Sequence, residues 1–424
     1  MALRRGVAAW LPPAYRPLMD SSGYRRLALG DLVSSVGDGM SVVAIAWQAL
    51  LLAPPGSRGI AVGAALAAYI VPGIVTGLAF GRWLVRVPAK WLIIADALTR
   101  AGALGIAVAL AWSGRLELPI FVGLLAVSSL GHVWGVAGRR SWVVDLVEEK
   151  DRLAANALLL TQQHLAYLLG PAVAGVLVGV WSPAAAIAAD VITFIVLAAA
   201  VWPVPATPPP PAAPPPPAPA RPRGALRTLV SYRRIAALLA ITSVFYFLYG
   251  PIEVALPVLV DGPLRGNAGT LGWLWTAYGI GAVIGGLGTP LLRRLKLWIV
   301  VVGIVAGWGV GMAVLGAIPS LPVSATALFV SGIIFGPYAA VCATALQREA
   351  RPQDLPALSA AWASMVVAAT PVGTAIGGPI VQRFGAETTA LASGLLTMAL
   401  AIGAGSVAAL AKSRNRVISA RQLD

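Results

Sequence analysis

The stretch that divides the chain is PVPATPPPPAAPPPPAPARP at residues 203–222, where 12 of 20 positions are proline. Proline fixes its own φ and has no N–H to donate, so no helix can run through this stretch. It predicts an extended polyproline linker, about 60 Å long when fully stretched at ~3.1 Å per residue. We expect a plain spacer between two halves of similar length, and the alternative is a docking site for a protein partner.

Both halves are far more apolar than a soluble protein. Of the 424 residues, 58% are hydrophobic and only 11% are charged, whereas about 25% are charged in an ordinary soluble domain. This composition predicts a polytopic α-helical membrane protein and excludes a soluble enzyme. The chain also lacks the sequence motifs of ATP-binding loops, serine hydrolases and zinc proteases. We therefore expect no enzymatic activity, no metal and no cofactor.

A membrane span needs about 20 apolar residues to cross the hydrocarbon core. Six such stretches lie on each side of the linker, and they predict an all-α protein with twelve transmembrane helices. The predicted spans 1 to 12 are 27–52, 60–80, 92–112, 118–138, 157–181, 184–202, 235–260, 270–292, 298–318, 323–346, 357–381 and 387–411. The predicted organisation is a six-helix bundle over 1–202, a linker region over 203–228 and a second six-helix bundle over 229–424.

The distribution of Lys and Arg predicts the orientation in the membrane. Of 31 such residues, 26 lie in the two termini, the linker region and the loops that follow spans 2, 4, 8 and 10, whereas the other loops hold four. Positive residues stay on the cytoplasmic side, so both termini are expected in the cytoplasm of a multi-pass inner (plasma) membrane protein. The net charge of +15 then reflects topology and attraction to anionic lipid, and not nucleic acid binding.

The two halves also repeat each other in sequence. Four residues that follow span 2 recur 207 positions later after span 8: Gly81, Leu84, Arg86 and Trp91 correspond to Gly288, Leu291, Arg293 and Trp298. The glycine-rich run at 170–175 in span 5 has a counterpart 203 residues later in span 11. Parallel six-helix repeats joined by a linker predict a binding site between the halves, near the midplane of the bilayer.

Five short motifs lie in or next to the predicted spans: RRL at 25–27, LVSSVGD at 32–38, ADALTR at 95–100, LAANA at 153–157 and GPAVAG at 170–175. Together they resemble the major facilitator superfamily, and within it the twelve-span exporters of drugs and siderophores that include macrolide efflux proteins. The last run is similar to the family's antiporter motif and contributes three residues to the predicted gating set, Gly170, Pro171 and Gly175. The resemblance implies alternating access, with the first helix of each half lining the cavity.

Loop 2–3 resembles a family motif at Arg86 and Lys90, but Val85 stands where the family usually has an acidic residue. In span 3, Asp96 and Arg100 are four residues apart, which predicts an ion pair within one helix. We expect these two residues to act in structure or gating together with Arg86 and Lys90.

An ionisable side chain inside a bilayer is costly, which makes a function the default interpretation. The polar residues of span 1 recur at helical spacing and share one face: Asp31, Ser34, Asp38, Ser41 and Gln48. Lipid would disfavour that face, so it is expected to point into the bundle or a wet cavity. Asp38, flanked by Gly37 and Gly39, is predicted to bind a substrate cation or a proton. The alternative is a structural hydrogen bond to neighbouring helices.

Span 7 corresponds to span 1 in the second half and carries a similar face. Its members are Thr242, Tyr246, Tyr249 and Glu253. Glu253 is predicted as a proton or substrate site, with a gate contact or an interfacial position as alternatives. The two tyrosines offer ring faces to an apolar or cationic ligand, and packing is the alternative.

Three further residues complete the predicted substrate or proton site. His132 in span 4 and Tyr338 in span 10 are expected to lie on cavity walls, with a structural role as the alternative for a lone histidine. Asp190 in span 6 has no obvious local partner, which makes it an open candidate for a proton site.

These features predict a secondary exporter driven by a proton gradient. Its substrate would be a small amphipathic molecule such as an antibiotic, a dye or a siderophore, and it would act as a monomer in the phospholipid bilayer. The first alternative is a lipid or lysolipid flippase on the same fold. The second is a receptor or scaffold that transports nothing and works through the linker.

Overall fold

In the computed structural model, the described residues are 15–84, 86–207, 232–351 and 353–420, and within them the chain is helical and forms no strand. The α-helices of these ranges, α1 to α14, are Ser22–Leu52, Arg58–Leu84, Ala89–Trp112, Leu118–Ser129, His132–Leu146, Arg152–Val180, Pro183–Val201, Arg233–Asp261, Ala268–Leu287, Leu297–Ala317, Leu321–Phe335, Tyr338–Glu349, Leu355–Phe384 and Ala386–Ala420. The polyproline linker predicted over 203–222 lies outside the described residues from residue 208 onward.

Helices α4 and α5 together make the fourth predicted span, and α11 and α12 make the tenth. The described ranges thus contain 12 helical stretches that are long and apolar enough to cross a membrane. The predicted all-α fold with twelve spans is confirmed. Apolar side chains at the surface of these helices fit contact with lipid, as Leu78 and Val176 illustrate with 82% and 63% exposure.

Several span boundaries differ from the prediction for local reasons. Helix α1 begins at Ser22 and not at residue 27, because the Ser21 hydroxyl accepts the backbone N–H of Tyr24 at 3.2 Å and caps the helix. The last part of predicted span 8 is a separate 3₁₀ helix, Thr289–Arg294, with a proline in its first turn. A proline cannot donate the N–H that would continue α9.

Span 4 is interrupted, which hydropathy did not predict. Helix α4 ends at Ser129 and α5 begins at His132. Two hydrogen bonds connect α2 to the residues at this interruption. Thr76 donates to the Leu130 carbonyl at 2.7 Å, and Ser129 Oγ accepts the Gly73 N–H at 3.2 Å. Span 10 is interrupted in the same place by Pro337, the N-cap residue of α12.

The chain divides into two compact units, one of 1–215 with 266–276 and one of 216–265 with 277–424. In the first unit, α1 packs on α6 and α7, and α3 packs on α7. In the second unit, α8 packs on α13 and α14, and α10 packs on α14. These are the same pairs of spans, 1 with 5 and 6, and 3 with 6, counted from the start of each half.

Hydrogen bonds at the beginning of each half repeat this correspondence. The Tyr24 hydroxyl donates to the Ala155 carbonyl at 2.8 Å, where span 5 begins. Tyr232, which lies 208 residues after Tyr24, donates to the Asp354 carboxylate at 2.7 Å, where span 11 begins. The sequence comparison of the halves did not identify this pair of tyrosines.

Glycines allow close contacts between helices in both units. In the first unit, a Cβ added to Gly170 on α6 would lie 2.5 Å from the Cα atom of Gly39 on α1. In the second unit, a Cβ added to Gly373 on α13 would lie 2.1 Å from the Phe247 carbonyl oxygen on α8. Small residues let helix backbones touch in a membrane, where packing rather than water exclusion holds helices together.

Gly170→Ala tests this contact. We expect the substitution to lower the free energy of unfolding in detergent by about 1–3 kcal/mol, because the added methyl group meets backbone that cannot rotate away. Gly179→Ala on the same helix is the matched control, since nothing lies within 4 Å of its added Cβ. Equal thermal stability of the two variants would show that the α1–α6 crossing does not depend on Gly170.

Candidate functional site

The first unit contains a buried ion pair between α1 and α3. Arg100 Nη2 lies 2.5 Å from Asp38 Oδ1, and the Arg100 side chain is only 2% exposed. A guanidinium removed from water needs an opposite charge and hydrogen-bond acceptors to offset the lost hydration. Asp38 supplies that charge.

Three other side chains complete the surroundings of Arg100. Its Nη2 donates to the Tyr69 hydroxyl on α2, and its Nη1 lies 3.1 Å from His132 Nδ1 on α5. The ring of Phe194 on α7 lies 4.2 Å from the guanidinium carbon, in cation–π geometry. A guanidinium can only donate, so Nδ1 accepts and His132 is neutral with its proton on Nε2. His132 is therefore part of a network and not a lone histidine.

A second arginine links two further carboxylates. Arg139 on α5 lies 3.0 Å from Asp31 Oδ1 on α1 and 3.7 Å from Asp96 Oδ2 on α3. Gly135 leaves room for this arrangement, since a Cβ there would lie 2.0 Å from Asp96 Oδ2. Within the described residues, the Arg139 guanidinium is therefore the counter-ion of two buried carboxylates, those of Asp31 and Asp96.

The predicted ion pair between Asp96 and Arg100 is wrong. Among the described residues, Arg100 pairs with Asp38 and Asp96 pairs with Arg139. An exposed pair within one helix contributes only about 0.2–0.5 kcal/mol. The cross-helix position gives the buried Arg100 a carboxylate, two further acceptors and an aromatic face, which the local pair could not provide.

Asp190 on α7 is fully buried beside this network. The Ser41 hydroxyl on α1 donates to its Oδ2, and Thr193 Oγ1 lies 3.0 Å from its Oδ1. The absence of a side chain at Gly37 leaves room for the Asp190 carboxyl group, because a Cβ at residue 37 would lie 2.0 Å from Asp190 Oδ1. Within the described part of the chain, Asp190 makes no ion pair. The structure thus brings Asp190 of span 6 together with Asp38 and Ser41 of span 1. The sequence had not predicted a contact between these two spans.

The other polar residues predicted in span 1 lie apart from these contacts. Ser34 and Gln48 are buried on α1, but neither is hydrogen-bonded to the network among the described residues. Gln48 is ten residues from Asp38, which is about 15 Å along a helix.

The residues predicted for gating have separate surroundings. Lys90 donates to the Trp202 carbonyl at 2.6 Å and lies 5.1 Å from the Trp91 ring centroid, so it caps the C-terminal end of α7. Arg86 is exposed in the loop that precedes α3. Gly170 contacts Gly39, as described above.

Pro171 and Gly175 lie where α6 meets the start of α9, within the same compact unit. A Cβ added to Gly272 would lie 2.5 Å from the Pro171 carbonyl oxygen, and one added to Gly175 would lie 3.2 Å from the Gly272 Cα atom. The two glycines of the 170–175 run therefore contact different helices, α1 and α9.

In the second unit, Glu253 on α8 is partly buried and accepts a hydrogen bond from the Thr374 hydroxyl on α13 at 2.8 Å. Among the described residues it makes no ion pair. Thr374 follows Gly373, whose close contact with α8 brings the hydroxyl within reach. Glu253 thus occupies a position on span 7 without the cationic partner that Asp38 has on span 1.

An aromatic cluster fills much of the second unit around α8. Its members come from five helices: Phe245, Tyr246, Tyr249, Tyr278, Trp308, Phe335 and Tyr338. Phe335 and Tyr338 stack with ring centroids 5.9 Å apart, and Tyr246 lies 6.2 Å from each of them. The Tyr338 hydroxyl is 2.9 Å from Thr242 Oγ1, which fixes its orientation. Three members of the predicted face of span 7, Thr242, Tyr246 and Tyr249, therefore belong to or border this cluster, whereas Glu253 contacts α13.

Sequence reasoning missed several residues of these sites. Tyr69 is a polar side chain within predicted span 2 and was a detectable signal. Thr193 lies three residues after Asp190, at a spacing that allows a contact within one helix. Phe194 and Trp308 gave no signal, because an aromatic residue in an apolar span is indistinguishable from ordinary packing.

Twelve spans in two units with matching helix pairs, and ionisable groups buried within the spans, define the class of α-helical membrane transporters. Residues 27–374 match the Major Facilitator Superfamily, and the chain belongs to that superfamily. It is therefore a multi-pass transporter of the inner membrane and not an enzyme, as the sequence motifs had predicted.

Similar proteins agree with this assignment. The multidrug efflux pump Tap of Mycobacterium tuberculosis is 25% identical over 402 residues, covering 86% of this chain and 88% of that protein. Macrolide efflux protein A of Streptococcus pyogenes is 22% identical over 339 residues, covering 78% and 83%. Among solved structures, the nucleoside transporter NupG has a TM-score of 0.68 at 13% identity, covering 91% of this chain and 98% of its own. The POT family transporter PepTSo has a TM-score of 0.69 at 12% identity, covering 93% and 99%. The structural matches establish the fold alone.

A double-mutant cycle tests the buried ion pair. Asp38→Asn and Arg100→Met should each lower the free energy of unfolding by about 3 kcal/mol, because each leaves a buried group without its partner. The double variant should lose at least 1 kcal/mol less than the sum of the two single losses. Thermal and denaturant unfolding in detergent measure all three, and strict additivity would show that the two side chains do not stabilise each other.

Proposed function

We propose that the chain exports small amphipathic organic compounds in exchange for protons, by alternating access and as a monomer. The observation that carries this proposal is the charge balance of the first unit. Among the described residues in the interior of this unit, four carboxyl groups, those of Asp31, Asp38, Asp96 and Asp190, face two guanidinium groups, those of Arg100 and Arg139. The buried ammonium group of Lys90 donates to the Trp202 carbonyl instead. Uncompensated charge is costly away from water. The network is therefore expected to take up protons or a cationic ligand, and competition between the two is the basis of antiport.

Asp38 is the position at which a ligand competes. Its side chain is 22% exposed, whereas that of its partner Arg100 is 2% exposed. A cationic group that reaches Asp38 replaces Arg100 as its counter-ion. The displaced guanidinium then stabilises the ionised form of the remaining acids, which favours release of a proton.

The direction and the energy source rest on the family and its relatives. The sequence contains no ATP-binding loop motif, so an exporter of this kind would draw its energy from an ion gradient. The relatives named above are efflux proteins for multiple drugs and for macrolides. The bias of 26 to 4 in Lys and Arg supports a cytoplasmic location for both termini. Protons would then enter as the compound leaves, with no resident cofactor.

Proton movement in liposomes tests the exchange. Adding a panel of antibiotics, dyes and a siderophore to the reconstituted chain should release protons for at least one compound, and Asp38→Asn should abolish that release because the ligand has no carboxylate to occupy. Glu117→Gln, an exposed carboxyl at the start of α4, is the matched control and should behave like the unmodified chain. Unchanged proton release in Asp38→Asn would refute the assigned role of Asp38.

The aromatic cluster supports the proposed class of substrate. Tyr246 and Phe335 are only partly buried, so their ring faces are available to a flat or cationic amphipathic molecule. A cation–π contact contributes about 0.5–2 kcal/mol.

Tyr246→Leu should weaken the binding of a cationic dye about tenfold, in line with the loss of one such contact, and Tyr246→Phe should bind it normally. Dye fluorescence in detergent measures both affinities. Equal affinities for Tyr246→Leu and the unmodified chain would exclude the cluster as a ligand site.

Lipid translocation is the second candidate, and one feature favours it. A groove of about 400 Å³ between α8 and α13 is lined by apolar side chains and Ser243, including Phe247 and Met365. In a span exposed to the bilayer, such a groove suits an acyl chain. Translocation of a fluorescent phospholipid, with no proton release for any compound of the panel, would favour this second function.

A further inference from the structure

Asp190 differs from the other acids of the first unit in its surroundings. It is 0% exposed, and α7 packs against α1, α3 and α6. The charged groups that face it are Asp38 from α1 and Arg100 from α3. Helix α6 contributes no charged group to its described surroundings. Arg100 is already occupied by Asp38, Tyr69 and His132, so Asp190 has a like charge nearby and no cation of its own.

Two neutral hydroxyl groups surround the Asp190 carboxyl group. The Thr193 hydroxyl donates to the Asp190 backbone carbonyl at 2.7 Å and to Asp190 Oδ1 at 3.0 Å, as a shared hydrogen bond. The Ser41 hydroxyl donates to Oδ2. Neither donor carries the positive charge that would offset an ionised carboxylate at this depth, whereas a protonated carboxyl group needs no such charge.

Gly37 fits the carboxyl group tightly on the side of α1. A Cβ at this position would lie 2.0 Å from Asp190 Oδ1 and 2.2 Å from Thr193 Oγ1. The Asp190 carboxyl group is thus surrounded by the Gly37 backbone and by the hydroxyl groups of Ser41 and Thr193. These groups are polar but uncharged, which suits an uncharged carboxyl group. An ionised carboxylate at this depth would lack the opposite charge that Asp38 has.

We propose that Asp190 carries a resident proton and is the group that releases it when a ligand displaces Arg100 from Asp38. The step breaks the O–H bond of the Asp190 carboxyl and transfers the proton to water of the transport pathway, with no change in electrons. The freed guanidinium replaces the lost proton as the positive charge beside Asp190. The release step rests on the proposed exchange function, whereas the resident proton does not.

Infrared spectroscopy of the purified full chain at neutral pH tests the resident proton without any substrate. A carbonyl stretching band of a protonated carboxyl group should be present, should shift in D₂O, and should be lost in Asp190→Asn. Asp96→Asn is the matched control, since Asp96 is equally buried but paired with Arg139, and it should keep the band. The spectra are compared in a Glu253→Gln background, because Glu253 is a second acid of the spans without an ion pair among the described residues. In that background, a band that survives in Asp190→Asn, or a spectrum without any such band, overturns the proposal.

A second variant covers the case in which Asp190→Asn does not fold. Ser41→Ala removes only the hydroxyl that donates to Asp190 Oδ2, so the band should shift to higher frequency as the carbonyl loses its hydrogen bond. A band at the original frequency would contradict the assignment.

The release step is tested in the same liposome assay with dye binding as a parallel measurement. Asp190→Asn, which mimics the protonated acid, should release no proton and should bind the dye with a weaker affinity that no longer rises with pH, because binding and proton release are linked. Asp38→Asn should lose both dye binding and proton release. Proton release that persists in Asp190→Asn overturns this inference and leaves the exchange function intact. The infrared band together with an absence of proton release in the unmodified chain would refute the exchange function alone.

Discussion

The first unit depends on the burial of one guanidinium. Arg100 on α3 touches Asp38, Tyr69, His132 and Phe194, and these four side chains belong to four different helices, α1, α2, α5 and α7. Burying a charge of this kind is tolerated only when its partners are in place. The requirements of a single side chain therefore fix how most of the helices of this unit are positioned around α3. It also follows that a ligand which competes for Asp38 acts on all of these helices together.

The two units use one helix arrangement for different chemistry. The close contacts of Gly39 with Gly170 and of Gly373 with α8 place equivalent spans against each other, so the scaffold repeats. The side chains around the first span of each half do not repeat: they form ion pairs in the first unit and an aromatic cluster in the second. Because a scaffold made by backbone contacts leaves side chains free to differ, proton chemistry and ligand stacking can be divided between the halves in the exchange that we propose.

The class of fold was predictable because a bilayer sets a minimum length for apolar stretches. The interruptions at Gly131 and Pro337 were not predicted, since a mean over about 20 residues does not resolve a single position, although Pro337 itself was a detectable signal. The same division applies to the site. The cost of burial identified Asp38, His132 and Asp190 from type and position alone. Their partners depend on how each helix is rotated against its neighbours, which sequence spacing does not contain. For that reason the spacing within one helix predicted an ion pair between Asp96 and Arg100. In the structure, Asp96 pairs with Arg139 and Arg100 pairs with Asp38.

The two uncompensated acids of the first unit lie at different places. One is at Arg139, which Asp31 and Asp96 share at 3.0 and 3.7 Å, so a single positive charge faces two carboxylates. The other is Asp190, which has hydroxyl groups and no cation within the described surroundings. Asp31 lies seven residues from Asp38 on α1, or about 10 Å along the helix. An acid that shares a guanidinium stays partly compensated without a proton, whereas an acid contacted by neutral hydroxyl groups has no such compensation, in line with the resident proton that we propose. Of the two, Asp190 is therefore the site where gain or loss of a proton changes the local charge most, and it lies next to the ion pair that a ligand would open.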